Sequence, residues 1–454
     1  MDFKNILKLQ KDFFTTNKTK EVAFRINELK RLKSVLQKNE ALLYEAIDKD
    51  FKKSKKETYL TELSLIYNEI DIAVKRVKKW SRKKRVAVSI ANLPAKAYIV
   101  PEPLGVSLII GAWNYPYQLS IAPAIAAIAA GCTVILKPSE LPANTSAVMK
   151  KIINENFDPH FFTVIEGGVE ETTALLKLDF DKIFFTGSVP VGKIVYQAAA
   201  ENLTPVTLEL GGKSPAIITA DADIDMTAKR LVWSKFLNAG QTCIAPDYVL
   251  VEESIKTKFL DAVVARIKNS DYQTQNENYT QIINQKNYDR LVDLIDNKKV
   301  YYGGKSNTAS RTIEPTILSD VSWEDTIMED EIFGPILPVL TFKDIDEAIA
   351  KIKSKPKPLS CYVYTQSAKV KKRIVSEISF GGGAINDSVM HIVEPSLPFG
   401  GVGHSGIGNY HGKFGFDAFS HNKSVLQKSF WIELNLKHPP YTDFKFKWLK
   451  RLIG

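Results

Sequence analysis

One of the three cysteines stands in a polar, turn-forming stretch of the chain. Cys243 follows the residues Asn-Ala-Gly-Gln-Thr, whereas Cys132 and Cys361 lie in apolar runs that predict core positions. A thiolate is a strong nucleophile toward a carbonyl carbon, and a Gly-containing turn can present it at a cleft. A buried, inert cysteine is the alternative for any lone thiol. The polar setting of Cys243 therefore predicts a nucleophile.

A carboxylate and an amide stand at the ends of predicted strands, where open α/β sheets place their ligand crevice. Glu209 follows the apolar residues 206–208, and Asn114 follows the predicted strand 105–111. We interpret Glu209 as a candidate general base, for the thiol or for a water molecule. The Asn114 amide can donate to a developing oxyanion. The structural alternatives are a solvent-facing glutamate and a turn asparagine before Tyr115-Pro116.

These residues occur together with further motifs in one order. Phe185-Thr186-Gly187-Ser188 is followed by Gly192, and Glu331-Ile332-Phe333-Gly334-Pro335 comes later. The set resembles the NAD(P)-dependent aldehyde dehydrogenases over roughly residues 20 to 430. The segments 241–248 and 409–412 are most similar to the class 3 branch, which includes oxidisers of fatty and aromatic aldehydes.

The resemblance implies a reaction and a role for each residue. Cys243 would add to an apolar aldehyde, Asn114 would stabilise the oxyanion, and Glu209 would activate the water that deacylates the thioester. The expected product is the carboxylic acid. Two rival functions remain open at this point. One is an acylating aldehyde reductase that releases the thioester to a thiol. The other is a basic membrane- or nucleic-acid-associated module, which leaves Cys243 and Glu209 unexplained.

The cofactor site departs from the usual dinucleotide fingerprint, because no full G-x-G-x-x-G occurs. A looser loop after the predicted strand 182–185 can present backbone N–H groups to a pyrophosphate. By resemblance, the residues expected at the cofactor are Trp113, Lys137, Glu140, Gly187, Ser188, Gly192, Glu331 and Phe333. A carboxylate at Glu140 can accept from the ribose 2′-hydroxyl of NAD and repels the 2′-phosphate of NADP, so NAD is preferred and NADP is the alternative. The histidines lack ligand spacing, and no metal is expected.

Alternating strands and helices predict an α/β fold: a Rossmann-like, doubly wound cofactor domain and a second α/β catalytic domain. We assign residues 1–84 and 101–210 to the first domain and 211–416 to the second. By resemblance, residues 85–100 and 417–430 form a small β bridging arm that pairs subunits, which implies a homodimer. Residues 431–454 form a tail in which 444–453 predict a basic amphipathic helix. This helix would contact a membrane surface, cover the substrate entrance or dock on the partner subunit.

Charge and cysteine content limit the setting. The formal net charge is +10, and residues 75–85 hold eight basic residues and no acid, so the basicity is local. The run continues a helical pattern, which favours a solvated face; contact with an anionic membrane or partner surface is the second alternative, and nucleic-acid binding is the third. Cysteine usage and the absence of an apolar leader or bilayer-length run predict a cytoplasmic protein, with peripheral membrane contact through the tail as an option.

Overall fold

The computed structural model describes residues 2–270, 272, 274, 279–433 and 435–453. The α-helices within these residues are α1 Phe3–Thr15, α2 Val22–Lys38, α3 Glu40–Phe51, α4 Lys55–Thr58, α5 Ser64–Trp80, α6 Gln118–Ala130, α7 Ala143–Asn154, α8 Val169–Leu176, α9 Val189–Glu201, α10 Ile224–Phe236, α11 Lys256–Lys268, α12 Gln285–Asp293, α13 Ile345–Lys353, α14 Ala368–Glu377, α15 Gly412–Ala418 and α16 Asp443–Ile453. A π-helical turn, Tyr59–Leu63, joins α4 to α5.

The strands are β1 Lys84–Val86, β2 Ala95–Pro103, β3 Val106–Ile110, β4 Thr133–Lys137, β5 Phe162–Val164, β6 Lys182–Gly187, β7 Val206–Leu210, β8 Pro215–Ile218, β9 Tyr248–Glu252, β10 Val300–Tyr302, β11 Ser306–Asn307, β12 Thr312–Ile313, β13 Thr316–Leu318, β14 Ile336–Phe342, β15 Ser360–Tyr364, β16 Gly382–Ile385, β17 Gly406–Ile407 and β18 Ser420–Lys428. They form two large sheets, one small antiparallel sheet and the β11–β12 pair.

The first large sheet is doubly wound, as expected. Its order is β17-β7-β6-β3-β4-β5, and β7 through β5 run parallel. The chain moves from β3 outward through β4 and β5, then returns to β6 on the other side of β3. Ligands bind in such sheets beyond the carboxyl ends of the strands at this switch point. The segments that follow β3 and β6, which carry Asn114 and Ser188, therefore meet at one crevice.

The second large sheet is also mainly parallel. Its order is β10-β13-β14-β9-β8-β15-β16, and β10 is the antiparallel edge strand. The four strands predicted here, at 216–218, 248–251, 337–340 and 361–364, lie within β8, β9, β14 and β15. Their near-continuous apolar sequences are typical of strands that are buried on both faces.

The third sheet joins segments that are distant in sequence. Strands β1, β2 and β18 pair antiparallel, with β2 in the middle. The predicted arm segments 85–100 and 417–430 thus share one sheet, although β2 continues to Pro103. One short strand departs from the assignment of residues 211–416 to a single domain. Strand β17 pairs with Leu208 and Glu209 of β7 at the edge of the first sheet. A two-residue strand has too little periodicity to be recognised in the sequence.

Helix α6 lies in the hydrophobic core that packs against the first large sheet. Its predicted bounds of Gln118 to Ala130 are confirmed. Every residue of α6 is buried. Small side chains allow close packing here: a Cβ added at Gly415 of α15 would stand 2.9 Å from the Ala126 Cβ.

The basic run and the tail are exposed. All eight basic side chains between Lys75 and Arg85 are exposed. Helix α16 contacts the turn Ile90–Asn92 beside the small sheet, and Phe444, Phe446 and Trp448 are exposed. The tail prediction also covered Leu434 and Gly454, which lie outside the described residues, as does the side chain of Leu452. Among the described helices, none combines the length and apolar character that crossing a bilayer requires.

Candidate active site

The Cys243 thiol is carried by a turn with unusual backbone geometry. Helix α10 ends at Phe236, and Asn238 (φ 55°) and Ala239 (φ 51°) are both left-handed. Each left-handed non-glycine residue costs about 1–2 kcal/mol, so surrounding contacts must hold the turn. Gly240 follows with φ 71°, and a Cβ there would stand 2.2 Å from the Gly334 carbonyl oxygen. Only glycine fits at this position, and the turn places Cys243 at a cavity wall with its side chain partly exposed.

Hydrogen bonds fix Asn114 against this turn. Its Nδ2 donates to the Gln241 carbonyl (3.0 Å), and Asn238 Nδ2 donates to the Asn114 carbonyl (2.9 Å). The hydroxyls of Tyr115 and Thr242 are 2.5 Å apart. The amide of Asn114 is thus held beside the nucleophile loop, with one N–H hydrogen left for another acceptor.

The protein environment does not by itself favour the thiolate. Burial raises the pKa of the Cys243 thiol, and the carboxylates of Glu331 and Glu209 raise it further. A thiol is the weak form of the nucleophile. Proton removal in this site therefore needs a base or the arrival of positive charge.

Glu209 lies inside strand β7, which extends to Leu210 and does not stop at Leu208 as predicted. Its side chain is buried, and neither carboxylate oxygen has a hydrogen-bond partner among the described residues. Burial raises the pKa of Glu209 well above its ordinary value. A buried, unpartnered carboxyl group of this kind suits a base that binds a water molecule during a reaction.

Cys243 lies where two cavities meet. The larger cavity, about 520 Å³, is lined by Trp113, Asn114, Lys137, Glu140, Gly187, Ser188, Glu209, Glu331 and Phe333 as well as Cys243. The smaller cavity, about 180 Å³, is lined mostly by apolar side chains, among them Trp233, Leu237, Ile244, Met390 and Phe399. Ten of the eleven predicted site residues thus line one cavity.

The eleventh residue, Gly192, does not line that cavity. It is buried in helix α9, and a Cβ there would stand 2.5 Å from the Leu210 side chain. Its small size serves the packing of α9 on β7. Ser188 is the N-cap of α9, and its side chain forms no capping hydrogen bond. The first turn of α9 therefore presents backbone N–H groups near the cavity, as an anionic ligand requires.

The carboxylates of Glu140 and Glu331 line the same cavity as this end of α9. Lys137 Nζ lies 3.4 Å from Glu140 Oε2, and both groups line the large cavity. Burial and the Asp247 carboxylate raise the pKa of Glu331 to about 8. The rings of Trp113 and Phe333 pack edge to face, with their centroids 5.3 Å apart. Carboxylates that can accept from hydroxyl groups, a helix N-terminus at the cavity and an aromatic pair together fit a dinucleotide.

Two charged residues that brace this site were not predicted. Lys213 Nζ donates to Asp247 (2.7 Å) and to the carbonyls of Ile327 and Asp330 (both 2.8 Å). Asp247 also accepts from the backbone N–H of Ile332 at 3.0 Å. This pair holds the loop that carries Glu331. Its partners are far apart in sequence, so no local pattern indicates them.

Comparisons with known proteins agree with this geometry. Residues 1–425 match the model of the aldehyde dehydrogenase family. The chain is 48% identical to the 4,4'-diaponeurosporen-aldehyde dehydrogenase of Staphylococcus aureus, over 97% of this chain and 96% of that protein. It is 44% identical to aldehyde dehydrogenase family 3 member A2 of Pongo abelii, over 96% of this chain and 91% of that protein.

A solved structure of Staphylococcus aureus AldH in a substrate-bound state superposes with a TM-score of 0.98, at 47% identity, and covers 100% of both chains. The chain therefore belongs to the aldehyde dehydrogenase family, in its class 3 branch, whose members oxidise aldehydes with NAD(P).

Proposed function

We propose that this protein oxidises apolar aldehydes, with a medium or long alkyl chain or an aromatic group, to carboxylic acids through an enzyme thioester on Cys243. One observation carries the proposal: Cys243 lies between a large cavity with polar, cofactor-type groups and a smaller apolar cavity. A substrate in the apolar cavity and a cofactor in the large one would meet at the thiol.

The first half of the reaction forms the thioester. The Cys243 thiol first loses its proton to water, Sγ then adds to the aldehyde carbon, and the carbonyl oxygen takes the negative charge. The remaining N–H of the Asn114 amide and the backbone N–H of Cys243 donate to that oxyanion. NAD(P), held by the residues that line the large cavity, would supply the acceptor for the hydride of that carbon and a positive charge that favours the thiolate. The acyl group then remains on Sγ.

The second half releases the acid. Glu209 accepts a proton from a water molecule as its oxygen adds to the thioester carbon. The C–S bond breaks, the carboxylic acid leaves, and Cys243 is regenerated. The buried, unpartnered carboxyl group of Glu209 supports this role. An acylating reductase, which passes the acyl group to a thiol, has no need for a water-activating carboxylate.

We propose NAD as the preferred cofactor and NADP as the alternative. Glu140 would accept from a ribose 2′-hydroxyl and repel a 2′-phosphate, and the nearby Lys137 ammonium reduces that repulsion. The other predicted cofactor residues would hold the remainder: Ser188 and Gly187 the pyrophosphate, Glu331 the nicotinamide ribose, and Trp113 and Phe333 the ring.

The small sheet and the tail support two further proposals. Ile90, Leu93, Leu426, Phe430 and Trp431 are exposed in the single chain near this sheet. Burial of such a surface favours association, so we propose a homodimer formed through β1, β2 and β18.

The exposed aromatic side chains of α16, with Lys445, Lys447, Lys450 and Arg451 in the same helix, suit peripheral contact with an anionic membrane.

The test is a panel of aldehydes of increasing chain length, assayed for NADH and for acid. We expect kcat/KM to rise with apolar chain length, the acid to be the product, and Cys243→Ala to lose at least about 1000-fold in rate. Cys361→Ala is the matched control, since Cys361 is buried in β15. Normal turnover by Cys243→Ala would overturn the mechanism, and an acyl thioester product with added thiol would favour the acylating reductase.

A further inference from the structure

A carboxylate from the N-terminal helices reaches the nucleophile turn. Glu57 of α4 accepts the backbone N–H of Asn238 at 2.6 Å. Asn238 is the first left-handed residue of the turn that ends at Cys243. The two residues are 181 positions apart in sequence. Among the described hydrogen bonds, Glu57 is the one charged side chain that binds the backbone of residues 238–243.

Residues just before and after α4 are linked to the other end of the turn. Lys53 and Glu62 form a fully buried ion pair at 2.8 Å, and Lys53 Nζ lies 4.1 Å from the centre of the Tyr115 ring. The Tyr115 hydroxyl contacts the Thr242 hydroxyl, next to Cys243. Glu62 also accepts from the backbone N–H of Tyr117 at 2.8 Å. Residues 53–62 therefore contact both the turn and the segment that carries Asn114.

The direction of the Asn238 N–H depends on its backbone conformation. In the left-handed state this N–H points to the Glu57 carboxylate, while the Asn238 side chain donates to the carbonyls of Asn114 and Gln241. A right-handed Asn238 would redirect these groups. Cys243 would then move relative to the Asn114 amide, because this amide donates to the Gln241 carbonyl in the same turn.

We propose that Glu57 is a positioning residue for the reaction: its carboxylate holds Asn238 in the left-handed conformation and so aims the Cys243 thiol at the Asn114 amide. The inference rests on the proposed role of Cys243 as the nucleophile. Glu57 does not line either cavity at Cys243, so it acts through the turn.

The experiment compares Glu57→Ala with Glu57→Gln in the full-length protein. The rate of Cys243 alkylation by iodoacetamide, followed by peptide mass spectrometry, reports on the thiol without turnover. The burst of NADH reports on acylation. We expect Glu57→Ala to slow both at least 10-fold, with the KM for the cofactor unchanged. Glu57→Gln keeps an oxygen acceptor at the same reach and should stay within about 3-fold of the native rates.

Glu69→Ala is the matched control. Glu69 of α5 accepts the backbone N–H of Gly412, also at 2.6 Å, and this contact lies outside the nucleophile turn. We expect Glu69→Ala to lower the melting temperature and to leave Cys243 alkylation unchanged. Equal loss in Glu57→Gln and Glu57→Ala, or native alkylation in Glu57→Ala, would overturn the proposal. If Cys243→Ala is inactive and Glu57→Ala is alkylated at the native rate, the role of Glu57 is rejected while the role of Cys243 as the nucleophile stands.

Discussion

Glu209 and Cys243 line the same cavity, yet the Glu209 carboxylate forms no hydrogen bond with the thiol or with any other described group. Burial raises the pKa of both groups. A base that served mainly to deprotonate the thiol would be expected to contact it. The arrangement therefore favours a role for Glu209 in activating water after the thioester has formed.

Glu209→Gln separates the two halves of the reaction. We expect steady turnover to fall at least 100-fold, since the amide cannot accept the proton of the attacking water. A pre-steady-state burst of NADH should persist, because thioester formation does not need that base. Rapid mixing with NAD and an apolar aldehyde measures both phases. An equal loss of burst and steady rates would instead assign Glu209 to activation of the thiol.

The raised pKa of Glu209 also predicts a pH-dependent stability. Its folded pKa lies above its unfolded value, so the stabilising contribution is complete below the unfolded pKa, about 4.3, and is lost as pH rises through the folded pKa. Glu209→Gln removes this loss. We expect the melting temperature of the variant minus that of the native protein, both measured without cofactor, to increase as pH rises. Glu45→Gln, at an exposed site, is the control and should show no such gain.

Glu140→Gln tests cofactor choice. Removing the negative charge beside Lys137 reduces repulsion of a 2′-phosphate, so the kcat/KM for NADP relative to NAD should rise about 10-fold. Steady-state kinetics with both cofactors measures the ratio. Glu170→Gln is the matched control, because Glu170 lies outside the large cavity. An unchanged ratio would remove Glu140 from the ribose site.

Met390→Asp tests the apolar cavity. Met390 is 41% exposed and lines the cavity that adjoins Cys243. A charge there should raise KM for long-chain aldehydes and leave short ones nearly unchanged, since each methylene buried contributes about 0.8 kcal/mol. Val375→Asp places the same charge on an exposed site of α14 and serves as the control. An equal effect on short and long substrates would place the alkyl chain elsewhere.

Deletion of residues 441–454 tests the tail. If α16 shapes the entrance or holds the enzyme at a membrane, KM for long-chain aldehydes should rise while KM for short ones stays nearly the same. Chromatographic sizing of the deletion variant measures the oligomeric state. A loss of the dimer, or an equal change for all chain lengths, would assign α16 to assembly.

Local patterns were sufficient for the parallel strands of the first large sheet, for β8, β9, β14 and β15 of the second, and for helix α6. Runs such as residues 134–136 are continuously apolar, and this composition is typical of parallel strands that are buried on both faces. The types of Cys243, Glu209 and Asn114, together with the family resemblance, predicted their chemistry. Such inferences need only neighbours along the chain.

The tertiary structure decided what no short segment contains. It packed Gly192 of α9 against Leu210 of β7, extended β7 past Glu209, and joined β17 to the first sheet. It also brought Glu57 to Asn238. The sequence alone determined the family, the fold class and the residues with reactive groups. The environment of those groups depends on long-range contacts, because burial, pKa and backbone strain are set by atoms that approach only after folding.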